Sequence, residues 1–228
     1  MDGSASSTAV QRRYPRMLIA ALLLLLVAGF TGADAWFYRE VSNRFNTPDP
    51  LDRDAFSQTR WFWDTARIFG GPVGGGLAVL ALAVLHSRGI RAAALGVAAA
   101  LPTNLLAFFL QGLIGRVRPN QSASQWEFLV PPAGLLGNTP TCFPSGEATA
   151  AFSLATVLSW LFPRWRLLWY ALSVACGAAR AVQGAHFLSD VAAGGLLGIV
   201  LCRAILRRLA PALAPRALPH DALQSAPS

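Results

Sequence analysis

The sequence predicts an all-α polytopic membrane protein, a bundle of six transmembrane helices, and three observations carry that prediction. First, 54% of the 228 residues are apolar and only 13% are charged, against about a quarter charged in a soluble domain. Second, the apolar residues gather in six runs of helical length, residues 17–36, 70–87, 92–114, 147–162, 167–182 and 186–206, separated by charge and proline. Six spans of roughly 20 residues fill such a chain and leave no room for a second soluble domain. Third, with the N-terminus inside, the inner segments hold eleven arginines against Asp2 and Asp221, while the outer ones hold eight arginines against nine acids. Positive charge retained on the cytoplasmic side supports both the span count and the direction.

Residues 1–16 thus form a cytoplasmic N-terminus, residues 17–210 the transmembrane domain, and residues 211–228 a cytoplasmic tail. The first run follows Arg12, Arg13 and Arg16, and Ala33-Asp34-Ala35 has the small-x-small form of a signal-peptidase site. The expectation is nevertheless an uncleaved first helix, because the run continues through the interfacial aromatics Trp36, Phe37 and Tyr38. Residues 46–54, rich in Pro and Asp, read as an exposed loop. Trp61-Phe62-Trp63 reads either as part of a helix lying at the outer interface or as a simple anchor for the second span. The tail, proline- and alanine-rich without polar–apolar period, reads as disordered.

The excess of 19 basic over 11 acidic residues does not indicate nucleic acid, because the charges never form a stripe with interleaved aromatics. All 19 are arginine. Cys142, Cys176 and Cys202 lack metal-ligand spacing and imply no disulfide framework. No metal and no cofactor is called for.

Polar residues are expensive in a bilayer, and here they recur at the outer ends of the last four runs. Residues 111–119 end the third run with Gln111, Arg116, Arg118 and the helix-terminating Pro119. Guanidinium forks of this kind suit a phosphate bidentately, the alternative being snorkelling to lipid headgroups. Residues 144–147, Pro144-Ser145-Gly146-Glu147, open the fourth run, where unpartnered first-turn N–H groups make an anion site. Ser145 as a plain N-cap and Glu147 as a favourable first-turn acid are the alternative. Residues 179–190 join the last two runs and carry Arg180, His186 and Asp190. His186 and Asp190, four apart, share a helical face, so Asp190 can hold one ring nitrogen and leave the other as a nucleophile.

Together these segments resemble the three-part signature of the type 2 phosphatidic acid phosphatase superfamily, K-x6-RP, PSGH and SR-x5-H-x3-D. Arg118 and Pro119 match the first part, Pro144, Ser145 and Gly146 the second, and Arg180, His186 and Asp190 the third, with internal spacing intact. Three positions depart from it. Gln111 stands for the lysine, Glu147 for the second histidine and Ala179 for the serine. The glutamate form of the second segment is similar to that of bacterial members related to lipid A phosphatases.

The resemblance implies a metal-independent lipid phosphatase with its active site at the outer, periplasmic face of a bacterial inner membrane. In it His186 attacks phosphorus to give a phosphohistidine, Asp190 orients His186, and Glu147 takes over proton donation to the leaving oxygen. A carboxylic acid can do so only in its neutral form, which burial or a neighbouring phosphate favours. Arg118, Arg180, Ser145 and the Gly146 amide would bind the phosphate oxygens, with Arg116 restoring the charge lost at Gln111. The implied substrates are membrane lipid phosphates: lipid A, undecaprenyl diphosphate or a phospholipid phosphate. Two other readings stand beside it, an inactive lipid-phosphate binder and a phosphotransferase to a second lipid. A transporter is disfavoured, since mid-membrane breaks are limited to Pro102 and Asn104.

Overall fold

The computed structural model describes residues 3–46, 50–86, 89–122, 124–130 and 140–209; the expected disordered tail, residues 211–228, lies outside them. Among the described residues the chain is helical, with no strand beyond two isolated bridges. α1 (Gly3–Ala28) begins well before the first expected apolar run. It passes through π-helical turns at Gly29–Ala33 and Tyr38–Ser42, which flank α2 (Asp34–Phe37) and lead to α3 (Asn43–Asn46). Within the first of these turns Gly32, at φ +128°, breaks the helix in a conformation only glycine adopts cheaply; Asp34, just past the break, is buried.

α4 (Pro50–Ile68) takes over part of the segment expected to be a loop. It carries Trp61 and Phe62 exposed on one side and meets α5 (Pro72–Leu85) at a bend of 51°. Pro72 occupies the first turn of α5, where its missing N–H would have had no partner. α6 (Gly89–Ile114), α7 (Gly146–Leu161), α8 (Arg166–Val182) and α9 (Leu188–Leu209) complete the bundle. The last run was expected to start at His186. Its helix starts two residues later, which leaves His186 in the connection.

Among the described residues three stretches are long and apolar enough to cross a bilayer unaided: Arg16–Asn46, Gly89–Ile114 and Leu188–Leu209, with α4 and α5 forming a fourth if taken as one bent unit. α5, α7 and α8, of 14, 16 and 17 residues, measure about 21 to 26 Å at 1.5 Å per residue. Their outward surface is apolar: Leu24, Val84, Leu85 and Phe108 are each at least 70% exposed. That inversion of the soluble pattern suits hydrocarbon as the surrounding medium.

α7 is central, packed against α6, α8 and α9. Small side chains allow the close approach: Ala148, Ala151, Ala155 and Ser153 of α7 are fully buried. A Cβ added at Gly194 of α9 would sit 2.4 Å from the Ser145 carbonyl oxygen, and one at Gly198 2.7 Å from that of Thr149. Backbone-to-backbone packing of this kind is how helices associate where lipid removes the hydrophobic drive. Gly194→Val is therefore expected to cost at least the ~1–3 kcal/mol typical of overpacking, read as a lower melting temperature in detergent. Wild-type stability would contradict the close approach.

Candidate functional site

The site lies where the α6–α7 connection, the start of α7 and the α8–α9 turn meet. After Gly115 the connection is pinned by bridges from Arg116 to Phe128 and from Val117 to Thr141. Ser145 caps α7 by accepting from Ala148 N–H at 3.4 Å, and its own N–H donates to the Asp190 carbonyl at 3.0 Å. The second and third sequence clusters are thus joined through backbone.

Just past the end of α8 stands Gly184, whose φ of +67° only glycine adopts cheaply. The turn lets the N–H groups of Ala185 and His186 both donate to the Arg180 carbonyl, at 3.1 and 3.3 Å. His186 is folded back under its own helix end, 3% exposed. Its Nδ1 lies 2.9 Å from the Cys142 carbonyl oxygen. A carbonyl can only accept, so Nδ1 carries the proton and Nε2 keeps its lone pair.

Here the geometry corrects the expectation for Asp190. Its Oδ2 is 3.8 Å from His186 Nδ1, beyond hydrogen-bond reach, and instead accepts from Phe187 N–H at 2.7 Å. That is the reach-back of a first-turn acid to the residue before the helix. The direct contact to the ring belongs to the Cys142 carbonyl.

Arg116 departs from expectation further. It is 1% exposed, and all five of its N–H donors are used within the protein. Nη1 donates to Asp190 Oδ1 at 2.6 Å and Ser189 Oγ at 2.7 Å. Nη2 donates to Asp34 Oδ2 at 3.0 Å and, with Nε, to the Gln125 carbonyl at 2.9 and 3.1 Å. The guanidinium also lies over the Phe187 ring, 4.1 Å from its centroid. Asp34 in turn accepts from Ser189 N–H at 2.9 Å and from the Ser189 hydroxyl. Arg116 has no donor left for a phosphate; it fastens α2 and α9 together beneath the site.

Among the described residues Arg118 and Arg180 retain free donors. Arg118 bonds there only through Nε, toward the Thr141 carbonyl at 3.3 Å. Gln111 Nε2 donates to the same oxygen at 3.0 Å, so Gln111 stands beside Arg118 as a brace. Arg180 donates from Nη1 to Gln183 at 3.2 Å, and its Nε is in ion-pair contact with Glu147 Oε2 at 3.0 Å. Arg67 of α4 lies 4.0 Å from the same carboxylate oxygen. Gln183 also donates to Asp64 of α4 at 2.9 Å. Beside Arg180 opens a polar cavity of about 280 Å³ lined by Arg60, Asp64, Arg67 and Gln183. A Cβ at Gly146 would meet nothing within 4 Å, so the start of α7 is open.

Burial first, then the positive charges of Arg180 and Arg118, hold the His186 imidazole down at about 3. The ring is neutral. Burial and next Asp190 push the Cys142 thiol far up; Cys142 contributes its carbonyl and not its sulfur. Among the described residues no three His, Cys, Asp or Glu side chains gather as a metal cluster.

The sequence reading missed Asp34, Cys142, Ser189 and Arg67 as site residues. Asp34 did leave a signal, an acid inside an apolar helix, but it was legible only as part of a small-x-small motif. A main-chain acceptor such as the Cys142 carbonyl leaves no signal in residue types.

The family model of the PAP2 superfamily matches residues 91–212. Two lipid A 1-phosphatases, from Rhizobium johnstonii and Rhizobium etli, are each 35% identical over 97 residues, 42% of this chain. The matched segment spans 39% and 41% of the length of those relatives, about two-fifths. A transmembrane PAP2-type phosphatidylglycerolphosphate phosphatase from Bacillus subtilis shares the fold, with a TM-score of 0.59 at 18% identity. That similarity covers 89% of this chain and 98% of that one.

Two outcomes are expected. Asp34→Asn weakens a buried ion pair, whose disruption costs about 3–5 kcal/mol, and should lower the melting temperature more than Glu40→Gln in the exposed Glu40–Arg44 pair. The second concerns pH. A histidine held at about 3 when folded and near 6.5 unfolded binds fewer protons in the native state. Its contribution is therefore present above ~6.5 and lost as pH falls toward 3. Melting temperatures of wild type should decline over that window more steeply than those of His186→Gln, and parallel curves would show that His186 is not buried neutral.

Proposed function

The chain belongs to the PAP2 superfamily, and from that premise we propose that it is an integral-membrane lipid phosphatase working through a phosphohistidine. The observation that carries this reading is His186 itself: Nδ1 tied to the Cys142 carbonyl, Nε2 free, and two arginines with unused donors beside it. Nε2 attacks phosphorus in line, the bond from phosphorus to the lipid oxygen breaks, and the lipid leaves as its alcohol or phosphate. The ring becomes cationic as it is phosphorylated. The Nδ1–H bond to Cys142 and the Asp190 carboxylate at 3.8 Å then stabilise it. Arg118, Arg180, the Gly146 amide and the Ser145 hydroxyl hold the equatorial oxygens, the dominant electrostatic contribution in phosphoryl transfer.

Glu147 is the proton donor in this proposal. Its carboxylate is the counter-ion of Arg180. An arriving phosphate dianion takes over the arginine and places like charge beside the carboxylate, and both changes favour the neutral acid. Glu147 gives its proton to the leaving oxygen, then accepts one from the water that displaces His186 from phosphorus. Inorganic phosphate departs and His186 is restored. No step requires a metal ion.

The same reading takes six crossings with both termini cytoplasmic and the site at the periplasmic face of a bacterial inner membrane, as the arginine distribution supports. Residues 17–210 form the phosphatase domain. A lipid whose phosphate is wet while its tails stay in the bilayer suits a site at that depth. The Rhizobium relatives favour lipid A, with undecaprenyl diphosphate and phospholipid phosphates next. The Arg180–Glu147 pair also favours a second reading, an inactive lipid-phosphate binder in which that pair has become permanent.

Phosphate release by the detergent-purified protein from lipid A, undecaprenyl diphosphate, phosphatidylglycerol phosphate and phosphatidate, with EDTA present, separates the two. The phosphatase reading expects release from at least one lipid, abolished in His186→Ala and, for poor leaving groups, slowed by about 10²–10⁴ in Glu147→Gln. Equal silence of wild type and His186→Ala, with lipid still bound, would establish the binder.

A further inference from the structure

At the other end of the bundle a cavity of about 580 Å³ opens between α1 and α9, within the roughly 300–1,000 Å³ of small-ligand pockets. Arg16, Arg203 and Arg207 supply its charge and Ile19, Ile199 and Val200 its apolar wall. Asp190 and Arg207 are 17 positions apart along α9, about 26 Å at 1.5 Å per residue, so this cavity lies across the membrane from His186.

The three arginines have no carboxylate partner among the described residues. α9 has no acid after Asp190, and Arg16, Arg203 and Arg207 converge from two helices that the fold packs together. Mutual repulsion of three guanidiniums disfavours that convergence unless an anion sits among them. Arg203 also faces a second opening of about 320 Å³, lined by Trp160, Arg166 and Tyr170. Trp160, 43% exposed, and Trp165, 60% exposed, mark the depth at which indole rings settle, among lipid headgroups.

We propose that the Arg16–Arg203–Arg207 cavity is a binding site for the headgroup of an anionic glycerophospholipid of the cytoplasmic leaflet. Charge selects the phosphodiester, and the Ile19, Ile199 and Val200 wall accepts the glycerol and upper acyl carbons. A soluble phosphate would use the cations and leave that wall empty. Basic recesses between transmembrane helices on the cytoplasmic side hold acidic lipids by this combination. The site goes beyond the phosphatase reading and does not depend on that activity; its assignment to the cytoplasmic leaflet rests on the orientation proposed with it.

Native mass spectrometry of the detergent-solubilised full chain, after exchange into phosphatidylglycerol, phosphatidylcholine or inorganic phosphate, tests it. Wild type is expected to retain phosphatidylglycerol over phosphatidylcholine, and retention should fall by about fivefold per arginine removed in Arg203→Gln/Arg207→Gln. Arg91→Gln/Arg208→Gln removes the same charge outside the cavity and should retain the lipid. Equal loss in both double variants would assign the effect to diffuse charge and overturn the proposal. So would absence of preference over phosphatidylcholine, or displacement of the lipid by millimolar inorganic phosphate. If the cavity double variant does not fold, Arg16→Gln is the same test from α1, and undiminished retention there overturns the site.

Discussion

Beneath the candidate site one guanidinium holds three parts of the chain at once. Arg116, in the loop after α6, is bonded to Asp34 on α2, to Ser189 and Asp190 at the start of α9, and to the Gln125 carbonyl. Burying these charges is costly, and the arrangement is tolerable because every N–H of the arginine has an acceptor. The Ser189 hydroxyl and N–H both donate to Asp34, which ties the start of α9 to α2 a second time. The position of Asp190 follows from this anchor.

Above the anchor the site divides its work between backbone and side chain. A backbone acceptor, the Cys142 carbonyl, does not move with rotamers and fixes where the imidazole sits. Burial first, and then the charges of Arg180 and Arg118, keep the ring neutral. α4 closes one side of this arrangement through Arg67 and the Asp64–Gln183 contact. Trp61 and Phe62 of the same helix stay exposed. One helix therefore borders the candidate site and also presents exposed aromatics.

Much of this was legible in the sequence. The helical class followed from composition and from the spacing of apolar runs, and membership of the superfamily from three segments whose internal spacings survive three substitutions. The structure brings Arg118, Ser145, Glu147, Arg180, His186 and Asp190 to one end of the bundle, as those spacings required. What could not be read was direction. Arg116 and Arg118 are alike in type and two positions apart, and only the fold shows one buried in the core and the other half-buried with its Nε on the Thr141 carbonyl. Asp34 was illegible for a different reason, since its partners lie 82 and 155 positions away and nothing local announces them. Helix ends were shifted for local reasons: Asp190 caps α9 from its first turn, so the helix begins after His186.

The pairing of Asp34 with Ser189 across 155 positions also sets an order for biogenesis. The first helix leaves the ribosome with its acid bare, and at about 5–20 residues per second the last helix emerges roughly ten to thirty seconds later. Until then the nascent protein must keep Asp34 near water or shield it within the insertion machinery, because a lone carboxylate is poorly tolerated in hydrocarbon. Insertion of the final helix is thus the event that locks the first one in place. Products arrested short of it would carry an unneutralised acid that marks them as unfinished.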